Sequence, residues 1–231
     1  MPSRFVLVGC GGIGSQLLAP LVRYLVHSSR EALLVLVDGD VFEHGNALRQ
    51  EFPASALGAN KAEALADWVR EAGLACQAVP LYLDEANVGD VVREGDIVLL
   101  AVDNHRTRAL VDRHIASLPE ATLISGGNDE IDGNVQLVRR RNGVSLDGTL
   151  SEIHPEIATA TDGPASGEGC AARVAERPQL LVTNLMVASA MLNCLWAVCE
   201  TGSAPYSEVY LDVVQNAARP RRWFRVGVDA A

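Results

Sequence analysis

Residues 8–17 read VGCGGIGSQL, directly behind the apolar run RFVLVG. No other stretch limits the fold so sharply. Gly9, Gly11 and Gly14 follow the pattern G-x-G-x-x-G, and IGSQLLAPLVRYLVH continues as an apolar-periodic helix. A buried strand entering a helix through a glycine turn is the opening unit of a parallel α/β sheet, and the free N–H groups of such a turn cradle phosphate. A redox dinucleotide and a nucleoside triphosphate fit the loop equally well. The glycines alone do not choose between them.

The rest of the chain repeats the unit. LLVLVD (33–38) reads as a strand buried on both faces. NKAEALADWVREAG (60–73) is an amphipathic helix stopped by Gly73. ACQAVPLY, DIVLLAVD and ATLISGG read as further strands, with a short helix at 84–93 and a longer one over HRTRALVDRHIASL. The expected fold is α/β: a Rossmann-like, doubly wound and mostly parallel sheet. NVQLVRRR, SEVYLDVV and RRWFRVGV are expected to add antiparallel strands toward the C-terminus. Residues 142–172 hold five Gly, two Pro and five acidic residues, and no Lys or Arg. They read as a long flexible loop. Chain length suits one domain over 1–231, with a nucleotide-binding half (1–140), the acidic loop (142–169) and a second half (170–231).

The formal charge of -10 disfavours nucleic acid as a partner. LLVTNLMVASAMLNCLWAVC (180–199) approaches the length of a membrane span. Its Thr183, Asn184, Ser189 and Asn193 argue instead for a helix buried in the core or a dimer interface. No apolar secretory core precedes Phe5, and the five cysteines show no C-x-x-C pair. Reduced thiols in a cytoplasm are the expectation, with no structural zinc and no membrane.

Charged residues beyond the loop favour the triphosphate. Asp38 ends the second strand, where a carboxylate holds ribose hydroxyls. Asp40, Asn46, Arg49, Gln50 and Lys61 follow. A dehydrogenase needs only the first acid; two cations and an amide suit the extra charge of a triphosphate. Asp103 sits at the carboxyl end of a later strand, where a carboxylate holds magnesium against phosphates.

In order along the chain, GCGGIGS, DGD, NALRQ, Lys61 and Asp103–Asn104 resemble the motifs of the ubiquitin-activating superfamily of ThiF- and MoeB-like adenylyltransferases. The resemblance covers residues 5 to about 140. It implies ATP and Mg2+ as cofactors and a nucleotide site of Gly9, Gly11, Gly12, Gly14, Asp38, Asp40, Asn46, Arg49, Gln50, Lys61, Asp103 and Asn104. Asp38 would bind ribose, Asn46, Arg49 and Lys61 the phosphates, and Asp103 the metal; Gln50 is expected to brace Arg49. The implied reaction is adenylation of the C-terminal carboxylate of a small ubiquitin-like or sulfur-carrier protein. A homodimer and a conjugating enzyme are the further partners the resemblance brings.

The second half looks more like compact bacterial members of that superfamily, which lack the zinc-binding cysteine pairs. Cys170, in GEGCAARVAERP, stands where relatives carry a cysteine, and becomes the expected thioester acceptor. The other four cysteines read as core or space-filling, the five histidines as structural or surface, and the RRR run at 139–141 as solvated. Related enzymes have an N-terminal arginine helix that this chain, whose first strand starts near residue 4, does not show. The alternatives are activation of a small-molecule or tRNA-linked carboxylate, an NAD-dependent oxidoreductase, and a scaffold that binds without catalysis.

Overall fold

The computed structural model describes residues 3–28, 31–159 and 180–223. Its centre is a nine-stranded mixed sheet in the order β3-β2-β1-β4-β5-β6-β8-β9, with β7 also paired to β6. Strands β1 (Ser3–Val8), β2 (Ala32–Val37), β3 (Ala75–Val79), β4 (Ile97–Leu100) and β5 (Ala121–Asn128) run parallel. From β5 onward β6 (Asp132–Arg141), β7 (Val144–Ser145), β8 (Glu208–Asp212) and β9 (Ala217–Arg221) are antiparallel. This is the doubly wound sheet with antiparallel C-terminal strands that the alternating pattern implies.

The central strands β1, β2 and β4 are largely apolar because both sheet faces are covered. Side chains alternate between them. Phe5, Leu7, Leu34, Leu36 and Leu99 face helices α1 (Gly12–His27) and α2 (Lys61–Glu71) and the long α7 (Leu181–Thr201). Val6, Val8, Val35, Val37 and Val98 face α3 (Val88–Val91), α4 (His105–Ser117), α5 (Leu150–Ile153) and α6 (Pro155–Thr159). The 21-residue α7 meets the length and composition of a membrane span. Here Val187, Met191, Cys194 and Leu195 are fully buried against α1 and the sheet, while Leu181, Val182, Leu185 and Trp196 are exposed.

Several sequence expectations are corrected. The stretch 142–169 is not one flexible loop: β7, α5 and α6 occupy 144–159. Among the described residues, side chains fix this stretch to the rest of the fold. Asp147 takes both Arg139 contacts, Nε at 2.8 Å and Nη2 at 3.0 Å. Asp112 of α4 accepts from Leu150 N–H, Ser151 N–H and Ser151 Oγ. Composition could not show this, because the partners lie outside the stretch. For the same reason Arg139, read as solvated, is 8% exposed. Among the described residues the last strand lies at 217–221, on the rim where the missing N–H of Pro220 is tolerated; residues 224–228 of the strand expected over 221–228 lie outside the described residues. The short helix of 84–93 contracts to Val88–Val91. Cys170 lies outside the described residues, as does Pro178.

Candidate functional site

A cavity of about 790 Å³ opens at the carboxyl ends of the parallel strands, within the size range of small-ligand sites. Of the twelve nucleotide-site positions read from sequence, eleven line it. The exception is Gly14, which acts underneath. A Cβ at Gly14 would lie 1.9 Å from the carbonyl oxygen of Gly9, so only glycine lets α1 approach the turn. Gly9 itself sits at φ +91°, and a Cβ there would meet the Ala101 carbonyl oxygen at 2.7 Å. The turn is thus fitted against β4 as well as α1.

Helix α1 starts uncapped: Gly11 makes no side-chain cap and no acid occupies the first turn. Its leading N–H groups are left for a ligand, and the helix dipole favours an anion there. Asp38 organises this region. Its Oδ2 accepts from Cys10 N–H at 2.7 Å and its Oδ1 from Asp40 N–H at 2.8 Å. Burial pushes the Asp38 carboxyl up from the usual carboxylate value, against the pull of Lys61 and the two backbone donors. Burial also holds the Cys10 thiol well above its ordinary value.

Lys61, the first residue of α2, is only 5% exposed. A lysine at a helix start is ordinarily solvated; here Asp40 Oδ2 accepts from its Nζ at 3.2 Å. The other oxygen of Asp40 accepts from the Tyr82 hydroxyl. Lys61 is therefore a cation held in a crevice by one partly exposed carboxylate, available to a stronger anion.

The segment between β2 and α2 is pinned to the glycine turn. Phe42 and Phe52 stack at 4.2 Å, and Glu51 N–H donates to Ser15 Oγ at 3.1 Å. Asn46 Oδ1 accepts from Glu43 N–H, so its NH2 group is what it offers a ligand. Arg49 reaches the Gly45 carbonyl at 3.2 Å and lines the cavity. Gln50 does not brace Arg49 as expected. It is buried with its Nε2 toward Gly11, and its Oε1 has no hydrogen-bond partner among the described residues.

Across the cavity, Asp103 follows β4 and Asn104 caps α4, accepting from Thr107 N–H at 2.8 Å. Sequence reading missed what holds this loop. Arg108, 8% exposed, donates to Val102 O, Ser125 Oγ and Gly126 O, tying the Asp103 loop to β5. It also missed Tyr82, although an aromatic just past a parallel strand belongs at the crevice. Asn128, at the end of β5, lines the cavity too. Arg4 does not face the site; it pairs with Asp96 and the Val91 carbonyl.

The glycine turn, the acid at the end of β2 and the cations behind it thus share one cavity. The ThiF family model matches residues 2–217. The chain belongs to the ThiF family. Over 115 residues, 48% of the chain and 41% of the relative, it is 37% identical to the SAMP-activating enzyme E1 of Haloferax volcanii. Over 112 residues, 47% of the chain and 22% of the relative, it is 33% identical to the adenylyltransferase and sulfurtransferase uba4 of Aspergillus clavatus. The matches span less than half of each of these relatives. Escherichia coli MccB has the same fold, with a TM-score of 0.74 over 98% of this chain and 64% of MccB, at 18% identity.

Proposed function

We propose that this ThiF-family chain is an ATP-dependent adenylyltransferase acting on the C-terminal carboxylate of a small ubiquitin-like or sulfur-carrier protein. The observation that carries this reading is the charge arrangement of the crevice. Lys61 and Arg49 stand on one side of an uncapped helix start, and Asp38 and Asp103 flank it. A buried lysine behind the ribose acid serves a triphosphate better than a dinucleotide, which counts against an NAD-dependent oxidoreductase.

In the proposed step an oxygen of the carboxylate bonds to the α-phosphorus. The bond from that phosphorus to the bridging oxygen breaks, and pyrophosphate leaves. The protein's part is positioning and charge neutralisation. Arg49 and Lys61 take up charge on the departing pyrophosphate, and the α1 N–H groups hold the phosphates. Among the described residues no group of three acidic, His or Cys side chains forms a metal cage. One protein carboxylate, that of Asp103, would suit Mg2+, which keeps several waters and takes its other ligands from phosphate oxygens. When bound, Mg2+ would neutralise charge on the triphosphate.

The names of the two relatives support this reading: one is SAMP-activating, the other an adenylyltransferase and sulfurtransferase. MccB has been crystallised with ATP and, separately, with AMPCPP and MccA. Cys170 is proposed as the thioester acceptor: its thiolate attacks the acyl carbonyl and AMP leaves. A second copy of the chain is proposed to cover the outer face of α7, where Leu181, Val182, Leu185 and Trp196 are exposed.

The test is ATP–pyrophosphate exchange with a SAMP protein ending in glycine. Wild type should exchange label only when both substrates are present. Asp103→Ala should abolish exchange. Cys170→Ala should keep exchange but lose the reductant-sensitive adduct. Exchange without a carboxylate substrate, or none with ATP and carrier, would refute the reading.

A further inference from the structure

The buried face of the long helix α7 is apolar except at its start, where Thr183 and Asn184 are both fully buried. Thr183 Oγ1 donates to the Glu130 carbonyl at 2.9 Å, which fastens α7 to the β5–β6 turn. Asn184 Oδ1 accepts from Asn128 Nδ2 at 2.9 Å. The other end of Asn184, Nδ2, has no hydrogen-bond partner among the described residues. It lies so close beneath Gly12 that a Cβ there would sit 2.5 Å from it. Burying an unpaired amide costs stability, and a fold that needs only a helix contact at this place would use an apolar residue.

Asn128 is the half-buried end of this pair and lines the cavity. In the parallel register Leu100 lies opposite Ser125. Asp103 and Asn128 each follow at the carboxyl edge, and both line the cavity. The acid of β2 and the cations behind it lie on the other side of the glycine turn. A pyrophosphate drawn toward Arg49 and Lys61 leaves in that direction, and an in-line nucleophile approaches from the opposite one. That is the β5 side. A neutral amide there can orient a carboxylate without cancelling the charge that makes it a nucleophile.

We propose that Asn128 binds the acyl carboxylate, and later the acyl carbonyl of the adenylate, and that Asn184 is a positioning residue that fixes the Asn128 amide. This rests on the carboxylate-activating reading above and adds the residue that receives the acyl end.

The test uses calorimetric titration of the full chain with ATP and with glycylglycyl-sulfamoyladenosine, a stable mimic of an acyl-adenylate. Asn128→Ala should bind the mimic about tenfold more weakly, the loss of one hydrogen bond to a charged or strongly polarised group, with ATP affinity within about twofold. Asn184→Ala should produce the same selective loss at about threefold. Thermal melts establish that each variant is folded. Weakening of both ligands together in Asn184→Ala, the outcome of a merely structural role under the glycine turn, overturns the positioning role. An unchanged mimic affinity in Asn128→Ala overturns the proposal altogether. If wild type holds ATP but binds the mimic no better than adenosine sulfamate, the carboxylate-activating reading itself fails, a different result from either.

Discussion

In the crevice, Lys61 meets one oxygen of the partly exposed Asp40 at 3.2 Å. In the antiparallel half, Arg139 grips both oxygens of Asp147, and the buried Glu208 accepts from His154, Asn134 and Trp223. Both regions hide charge from water. One leaves capacity for something to arrive, whereas the other closes its charges on each other. The difference marks which buried ions serve a ligand and which hold the sheet together.

The contrast can be broken by exchanging the expected behaviours. The largest effect should come from Lys61→Ala. It should lower carrier-dependent pyrophosphate exchange by on the order of a hundredfold, with the melting temperature nearly kept, because its partner Asp40 is partly exposed. Arg139→Met should do the reverse. It strands the buried Asp147 and should cost about 3–5 kcal/mol in denaturant unfolding, while exchange per folded molecule stays at the wild-type level. Loss of stability in the first or of exchange in the second would erase the distinction between the regions.

A subtler effect belongs to His154, which bridges Glu208 at 2.7 Å and Glu156 at 2.9 Å. Burial works against its charge, but the hydrogen bonds to Glu208 and Glu156 outweigh it and raise the pKa above the ordinary 6.5. The folded value exceeds the unfolded one. The stabilisation is therefore whole below about pH 6.5 and is lost as pH rises through the folded value. Melting temperature should fall by about 2 °C across that range, and His154→Gln should flatten the slope. A slope that survives His154→Gln would remove this site from the contrast.

The smallest effect concerns thiols. Burial lifts Cys194 to about 12 and Cys76 to about 11, and Cys10 is also raised. At pH 8 these three should react slowly with iodoacetamide. Fast labelling mapped by mass spectrometry to Cys170 would fit the thioester role; fast labelling of Cys10 would contradict the closed packing around Asp38.

The crevice was legible in the sequence because its residues are ordered by the fold itself. Asp38 and Asp103 follow strands, and a parallel sheet gathers strand ends at one edge, so they needed no knowledge of partners; Lys61 opens a helix and was legible through its place in the motif order. Asn128 and Tyr82 also follow strands, but nothing local distinguishes them from turn residues. Asp147 and Arg139 escaped for a different reason: burial of a charge is decided by the other chain segment, and an acid-rich stretch looks solvated until its partners are placed. Asn184 was visible only as a polar interruption in an apolar helix, with the residue it serves 56 positions away.

The seat of Gly14 on Gly9 leaves no volume for even one methyl group. The proposed nucleotide cradle therefore has little freedom to change at its first turn. The outer face of α7 holds no glycine and carries no such restriction, so a redesign aimed at a new protein partner would begin there and leave the first turn untouched.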